Sequence, residues 1–160
     1  MARSSRTLAA TAEAPISPTS PHHPAQAPAA GGPAQTGRYP ALRVVDSITE
    51  LSAADAGCIA VSGSHGGWSA ARYAAAARPL LAVFNDAGVG KDGAGIAGLA
   101  VLQAQGIAAC TVAHDSARIG DAGSTLADGK ISHANEADRA LGAAPGLRCA
   151  ELVARLRPGA

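Results

Sequence analysis

The sequence predicts an α/β fold: a small parallel sheet of about four strands with helices on both faces, preceded by a disordered N-terminal tail. Three observations predict it. First, the apolar runs Cys58 to Val61, Leu80 to Phe84 and Ala108 to Ala113 are continuous rather than alternating, as in strands covered on both faces. Second, each run ends in a burst of polar and glycine residues, and parallel sheets gather ligands at the carboxyl ends of their strands. Third, helical stretches separate the runs, and alternating β and α units give parallel neighbours through right-handed crossovers.

Residues 1–40 form the expected tail, and residues 41–160 a single α/β domain. Pro15, Pro18, Pro21, Pro24, Pro28 and Pro33 punctuate a stretch of Ala, Ser, Thr, Gln and Gly without apolar periodicity. Such a segment buries too little surface to offset its ordering entropy. The His22-His23 pair within it is a solvated tail feature, because two adjacent histidines do not close a metal site.

Leu42 to Asp46 is the first short strand. Ser52 to Gly57 is a turn or brief helix ending at glycine. The Cys58 run then leads into Ser62-Gly63-Ser64-His65-Gly66-Gly67, expected as a strand-to-helix turn. A helix over Trp68 to Arg78 stops before Pro79, since a residue preceding proline is pushed out of the α region. A helix over Asp92 to Gln105 carries Ile96, Leu99, Val101 and Leu102, with Gly106 as its C-cap. Its glycines, Gly93, Gly95 and Gly98, suit close approach to the sheet or to a ligand. Asp121 to Asp128 is a short helix. Ser132 caps a helix over His133 to Leu141, and Leu147 to Leu156 is the last helix, with Leu152, Val153 and Leu156 inward.

The formal net charge of +1 gives no electrostatic reason to expect nucleic acid or an anionic membrane. Aromatics make up 2% of residues, so base-stacking platforms are nearly absent. The core must come from Ala, Val, Leu and Ile, which bury little area per residue, and a homo-oligomer would bury more. Three cysteines do not make a disulfide framework. Buried thiols in a reducing, cytoplasmic compartment are expected instead. No apolar run approaches the roughly 20 residues of a membrane span.

Three clusters carry candidate chemistry. At Ser62 to Gly67, glycines leave backbone amides open at a helix start, a geometry that binds anions or an oxyanion. Ser64 is the nucleophile candidate there and His65 an acid/base. The Gly-x-Ser-x-Gly elbow is incomplete, and the plain alternative is a glycine turn whose serine caps the helix.

Asn85-Asp86-Ala-Gly88-Val-Gly90-Lys91-Asp92-Gly93 invites comparison with a phosphate loop. It fails, because Asn85 replaces the first glycine and Asp92 the hydroxyl residue after Lys91. Gly88, Gly90 and Gly93 fit the dinucleotide spacing, without a well-placed ribose acid. No cofactor is expected. Asp86 is taken as an orienting group or base, with Asn85 and Lys91 as substrate contacts.

His114-Asp115-Ser116-Ala-Arg118 supplies a second acid/base, His114, and a clamp, Arg118, for a carboxylate or phosphate, with Ser116 adding a hydroxyl. An ordinary Arg118–Asp121 ion pair is the plain alternative. His133 reaches over the same edge. His65, Asp86 and His114 are also a conceivable metal trio, but no local His-x-x-x-His pair supports it, and no metal is assigned.

The expected function is that of a small soluble enzyme, a hydrolase or other acid–base catalyst, more readily metal-independent than metal-dependent. It would act on a small anionic metabolite at the C-terminal edge of the sheet. Ser64, His65, Asp86 and His114 would do the chemistry. Gly66, Gly67, Asn85, Lys91, Ser116, Arg118 and His133 would bind substrate. The alternative is a non-catalytic metabolite-binding or regulatory subunit of a larger assembly. The spatial criterion is whether Ser64, His65, Asp86, His114 and Arg118 line one cleft.

Overall fold

A computed structural model describes residues 37–160. The proline-rich segment 1–36, with His22 and His23, lies outside the described residues. Five strands form one sheet: β1 (Leu42–Val45), β2 (Ile59–His65), β3 (Leu81–Asn85), β4 (Ala108–Val112) and β5 (Ile131–Ala134). Their spatial order is their order in the chain. β1 to β4 are mutually parallel, and β5 joins β4 antiparallel. The α/β class and the parallel sheet with helices therefore hold, and an antiparallel edge strand is added.

Strand alternation sends the two faces of the sheet into two cores. Ala82 and Phe84 of β3 and Ala109 of β4 face α1 (Trp68–Ala77) and α2 (Gly98–Gln103). Consecutive parallel neighbours joined by right-handed crossovers place these two helices on one face. Ile59 and Val61 of β2, Leu81 and Val83 of β3, and Cys110 and Val112 of β4 face the opposite core. That core contains Leu126 of α3 (Ala122–Ala127) and Leu152 and Val153 of α5 (Cys149–Leu156). Phe84, wholly buried, is the largest side chain of the first core, to which α1 contributes alanines and α2 Leu99 and Leu102. Small side chains let α1 lie close to the sheet.

Three local expectations need correction. Ser132 does not cap a helix. Ile131–Ala134 pairs with Cys110–Val112, and Asn135 caps the shorter α4 (Glu136–Ala140). Asn135 Oδ1 accepts from Ala109 N (3.1 Å) and Asp138 N (3.0 Å), while its Nδ2 donates to Ile107 O (2.9 Å). One buried side chain thus ends β5, starts α4 and ties both to β4, and a four-residue run too short to show periodicity is decided by that pairing.

The helix expected over Asp92 to Gln105 is likewise curtailed. Lys91–Gly93 is a 3-10 turn with Asp92 at φ 56° and Gly93 at φ 73°, so the α-helix starts only at Gly98. Finally, β2 extends through His65, leaving only Gly66 and Gly67 as the turn before α1.

Candidate functional site

Asp86 follows the last residue of β3 and is 4% exposed. The chain leaves it through Ala87, Gly88, Val89 and Gly90, all four with positive φ (50°, 71°, 66° and 72°). Such a conformation is costly for β-branched Val89, about 1–3 kcal/mol. The turn is held by Val89 N donating to Asp86 O (2.8 Å) and Gly95 N donating to Val89 O (2.7 Å). Its effect is to aim Gly88 N at the Asp86 carboxylate (2.8 Å to Oδ1).

The same oxygen accepts from His114 N (3.0 Å), and the His114 ring approaches it with Nδ1 at 3.3 Å. Burial alone would raise the Asp86 carboxyl. The Gly88 amide, the neighbouring Ser132 hydroxyl, the His114 amide and the His114 ring outweigh it and hold the carboxyl below its usual range. Asp86 is therefore an ionised, buried carboxylate against one ring nitrogen of a histidine. The His114 side chain is 61% exposed, against 6% for Asp86. The ring meets the carboxylate through Nδ1 as a close ionic contact.

Two residues missed in the sequence complete this edge. Ser132 Oγ lies 3.0 Å from Thr111 Oγ1 and 3.2 Å from His133 Nδ1. Thr111 is fully buried on β4, opposite His133 of β5. A polar network thus runs from His133 through Ser132 to the neighbourhood of Asp86 and His114. Nothing local in Ile131-Ser-His-Ala134 signals it, because Ser132 reaches Thr111 and Asp86 only through the antiparallel pairing of β5.

Beside His114 lies an open cleft of about 260 Å³, lined by Asp115, Ser116, Ala117, Arg118, Ser124 and Asp128 as well as His114. Ser116 Oγ donates to Ala113 O (2.7 Å) and accepts from Lys130 N (2.9 Å), fixing the loop after β4. The Arg118 side chain is 82% exposed and only 3.6 Å from Asp121 Oδ2, a loose pair that leaves the guanidinium able to meet a ligand.

Ser64 and His65 do not join this constellation. Ser64 Oγ accepts from Ile48 N (3.0 Å), tying β2 to the 3-10 turn Ile48–Glu50, and no histidine among the described residues hydrogen-bonds to it. His65 Nδ1 accepts from Gly67 N (3.1 Å). Gly66 N donates to Asn85 O (2.9 Å), so neither glycine amide is free for an anion. These glycines serve close packing instead: a Cβ on Gly66 would sit 2.7 Å from Thr111 Cγ2 and 2.9 Å from Gly95 O. Asn85 is wholly buried, donating to Ala117 O (3.1 Å) and accepting from Ala87 N (2.8 Å). Lys91 is exposed in the 3-10 turn.

Of the five residues expected to share a cleft, His114 and Arg118 line it, and Asp86 touches it through His114. The conceivable metal trio does not assemble, since no group of three His, Cys, Asp or Glu side chains among the described residues is placed to hold an ion. No described helix is long and apolar enough to cross a membrane. No family model, curated protein or solved structure matches the chain, so the geometry alone carries the functional argument.

Proposed function

We propose that this chain is a small acid–base enzyme acting on a small anionic metabolite at the C-terminal edge of its sheet. The observation that carries the reading is the contact of buried, ionised Asp86 with the Nδ1 side of exposed His114. A carboxylate in that position fixes the ring's tautomer and orientation and stabilises the imidazolium when Nε2 takes a proton. His114 is then the proton-transferring group and Asp86 the positioning one. Arg118, in the same cleft, holds the anionic group of the substrate. Hydrolysis fits if His114 takes the proton of an attacking water. Ser64 is not required, because its hydroxyl is engaged with Ile48.

Three free, buried cysteines support a reducing compartment, and we place the protein in the cytoplasm. Trp68 and Tyr73, exposed on the outer side of α1, support a homo-oligomer.

The test is a panel of esters, amides, phosphates and carboxylic acids with exchangeable α-protons, assayed with the unmodified protein and with His114→Gln and Arg118→Ala. The proposal expects turnover of one class, a loss of at least about 100-fold in kcat for His114→Gln, and a raised KM for Arg118→Ala. Binding of a panel member without turnover would favour the non-catalytic subunit. Turnover unaffected by His114→Gln would remove His114 from the chemistry.

A further inference from the structure

Asp138 belongs to none of this machinery. It sits on α4, 0% exposed, and neither carboxyl oxygen has a hydrogen-bond partner. Buried polar groups without partners are rare, and a buried charge without a counter-charge rarer still. We propose that α4 is a proton-dependent latch: Asp138 must be a neutral acid for the helix to stay docked on β4, and its ionisation releases α4.

The surroundings of Asp138 supply no cation. From β4 the Cys110 thiol lies closest, without reaching hydrogen-bond geometry, and from α5 comes the thiol of Cys149. Both are buried and free. On α4 itself, Glu136 and Arg139 are exposed. Of the basic residues of α5 and its ends, Arg148 is engaged with Glu151 (2.7 Å), and exposed Arg155 reaches Gly142 O (3.5 Å). Arg157 stands at the opposite end of that helix. An ionised Asp138 would therefore be a bare charge between two thiols.

Burial pushes the Asp138 carboxyl up to about 6, against a small opposing effect of Cys110. A group whose folded value is raised binds its proton more tightly in the folded state. The docked form is then fully favoured below the unfolded value of 3.8 and weakens as pH rises through about 6. The segment most affected is the one Asp138 anchors through its backbone. Its carbonyl accepts from Leu141 N (2.9 Å) and Ala143 N (3.2 Å), and Arg139 N donates to Asn135 O (3.0 Å).

Hydrogen exchange on the full chain at pH 5 and pH 8, corrected for intrinsic rates, tests the latch. Protection at Arg139, Leu141 and Ala143 is expected to fall by roughly 10-fold between these pH values, while Val83 and Phe84 of β3 keep theirs. Asp138→Asn should abolish the pH dependence. Unchanged protection at the three amides of the unmodified protein would overturn the latch, whether or not the variant folds. So would an equal fall in Asp138→Asn.

Discussion

Replacing Asp86 by alanine tests the framework of the site without knowledge of a substrate. One oxygen of its carboxylate accepts from two backbone amides, Gly88 at 2.8 Å and His114 at 3.0 Å, at a residue 4% exposed. Hydrogen bonds to a charged group contribute about 1.5–3 kcal/mol each, so the gross loss is about 3–6 kcal/mol. Two effects reduce it. Gly88 and His114 are exposed residues, so water can reach the freed amides, and alanine no longer carries the desolvation of a buried carboxylate. We expect a net loss of about 2–4 kcal/mol at pH 7.

The pH dependence has a definite sign. The Asp86 carboxyl is held below its usual value in the fold. Its contribution is present above the unfolded value of 3.8 and disappears as pH falls through the depressed folded value. The difference between the two proteins should shrink below about pH 4. Asp138 titrates in both proteins, on another element, and cancels in the difference. Urea unfolding followed by far-UV circular dichroism suits the measurement, because exposed Trp68 is a poor fluorescence reporter of the core. A loss below about 1 kcal/mol at pH 7, or one that persists undiminished far below pH 4, would refute the reasoning.

Gly98→Ala should destabilise by about 1–3 kcal/mol in the same assay even though alanine is the better helix former. Its Cβ would stand 2.7 Å from the carbonyls of Gly66 and Gly67 and 2.8 Å from Ala71 Cβ. Arg78→Gly should instead stabilise, by about 0.5 kcal/mol, since Arg78 ends α1 in the left-handed region at φ 53°. A loss of stability there would mean that the arginine side chain contributes more than its backbone strain. Phe84→Ala should cost about 3–5 kcal/mol by urea titration, because Phe84 is the largest side chain of its core and the facing α1 offers only alanines to fill the space.

Several parts of the fold were legible because each rests on a local rule. The stop of α1 before Pro79, the short helix after Asp121, and the strands over Leu81–Asn85 and Ala108–Val112 all appear where local pattern places them. Asp121 Oδ1 accepts from Ser124 N (2.8 Å) and so starts the helix expected there. β5 was not legible. Its four residues resemble a helix start as much as a strand, and only the Asn135 contacts to Ile107 and Ala109 decide between them. The glycines of the first cluster were legible as a tight turn, but their amides were assigned to an anion. Gly66 makes room for Thr111 and Gly95, and Gly67 for the His65 ring, not for an anion.

The sequence by itself determined that polar residues collect where β2, β3 and β4 end, because a parallel sheet points those ends one way. It could not weigh them, since Ser64, His65, Asp86 and His114 look alike as members of strand-end clusters. The tertiary structure decided. It spends Ser64, His65 and Asn85 on internal hydrogen bonds. It leaves Asp86 buried and ionised against the ring of His114, beside the cleft that Arg118 lines. The physical reason is that side-chain availability depends on what the backbone amides nearby still lack. Some partners are far away in the chain, as Ile48 is from Ser64 and His114 from Asp86, while others, such as Gly67 for His65, are set by the local turn.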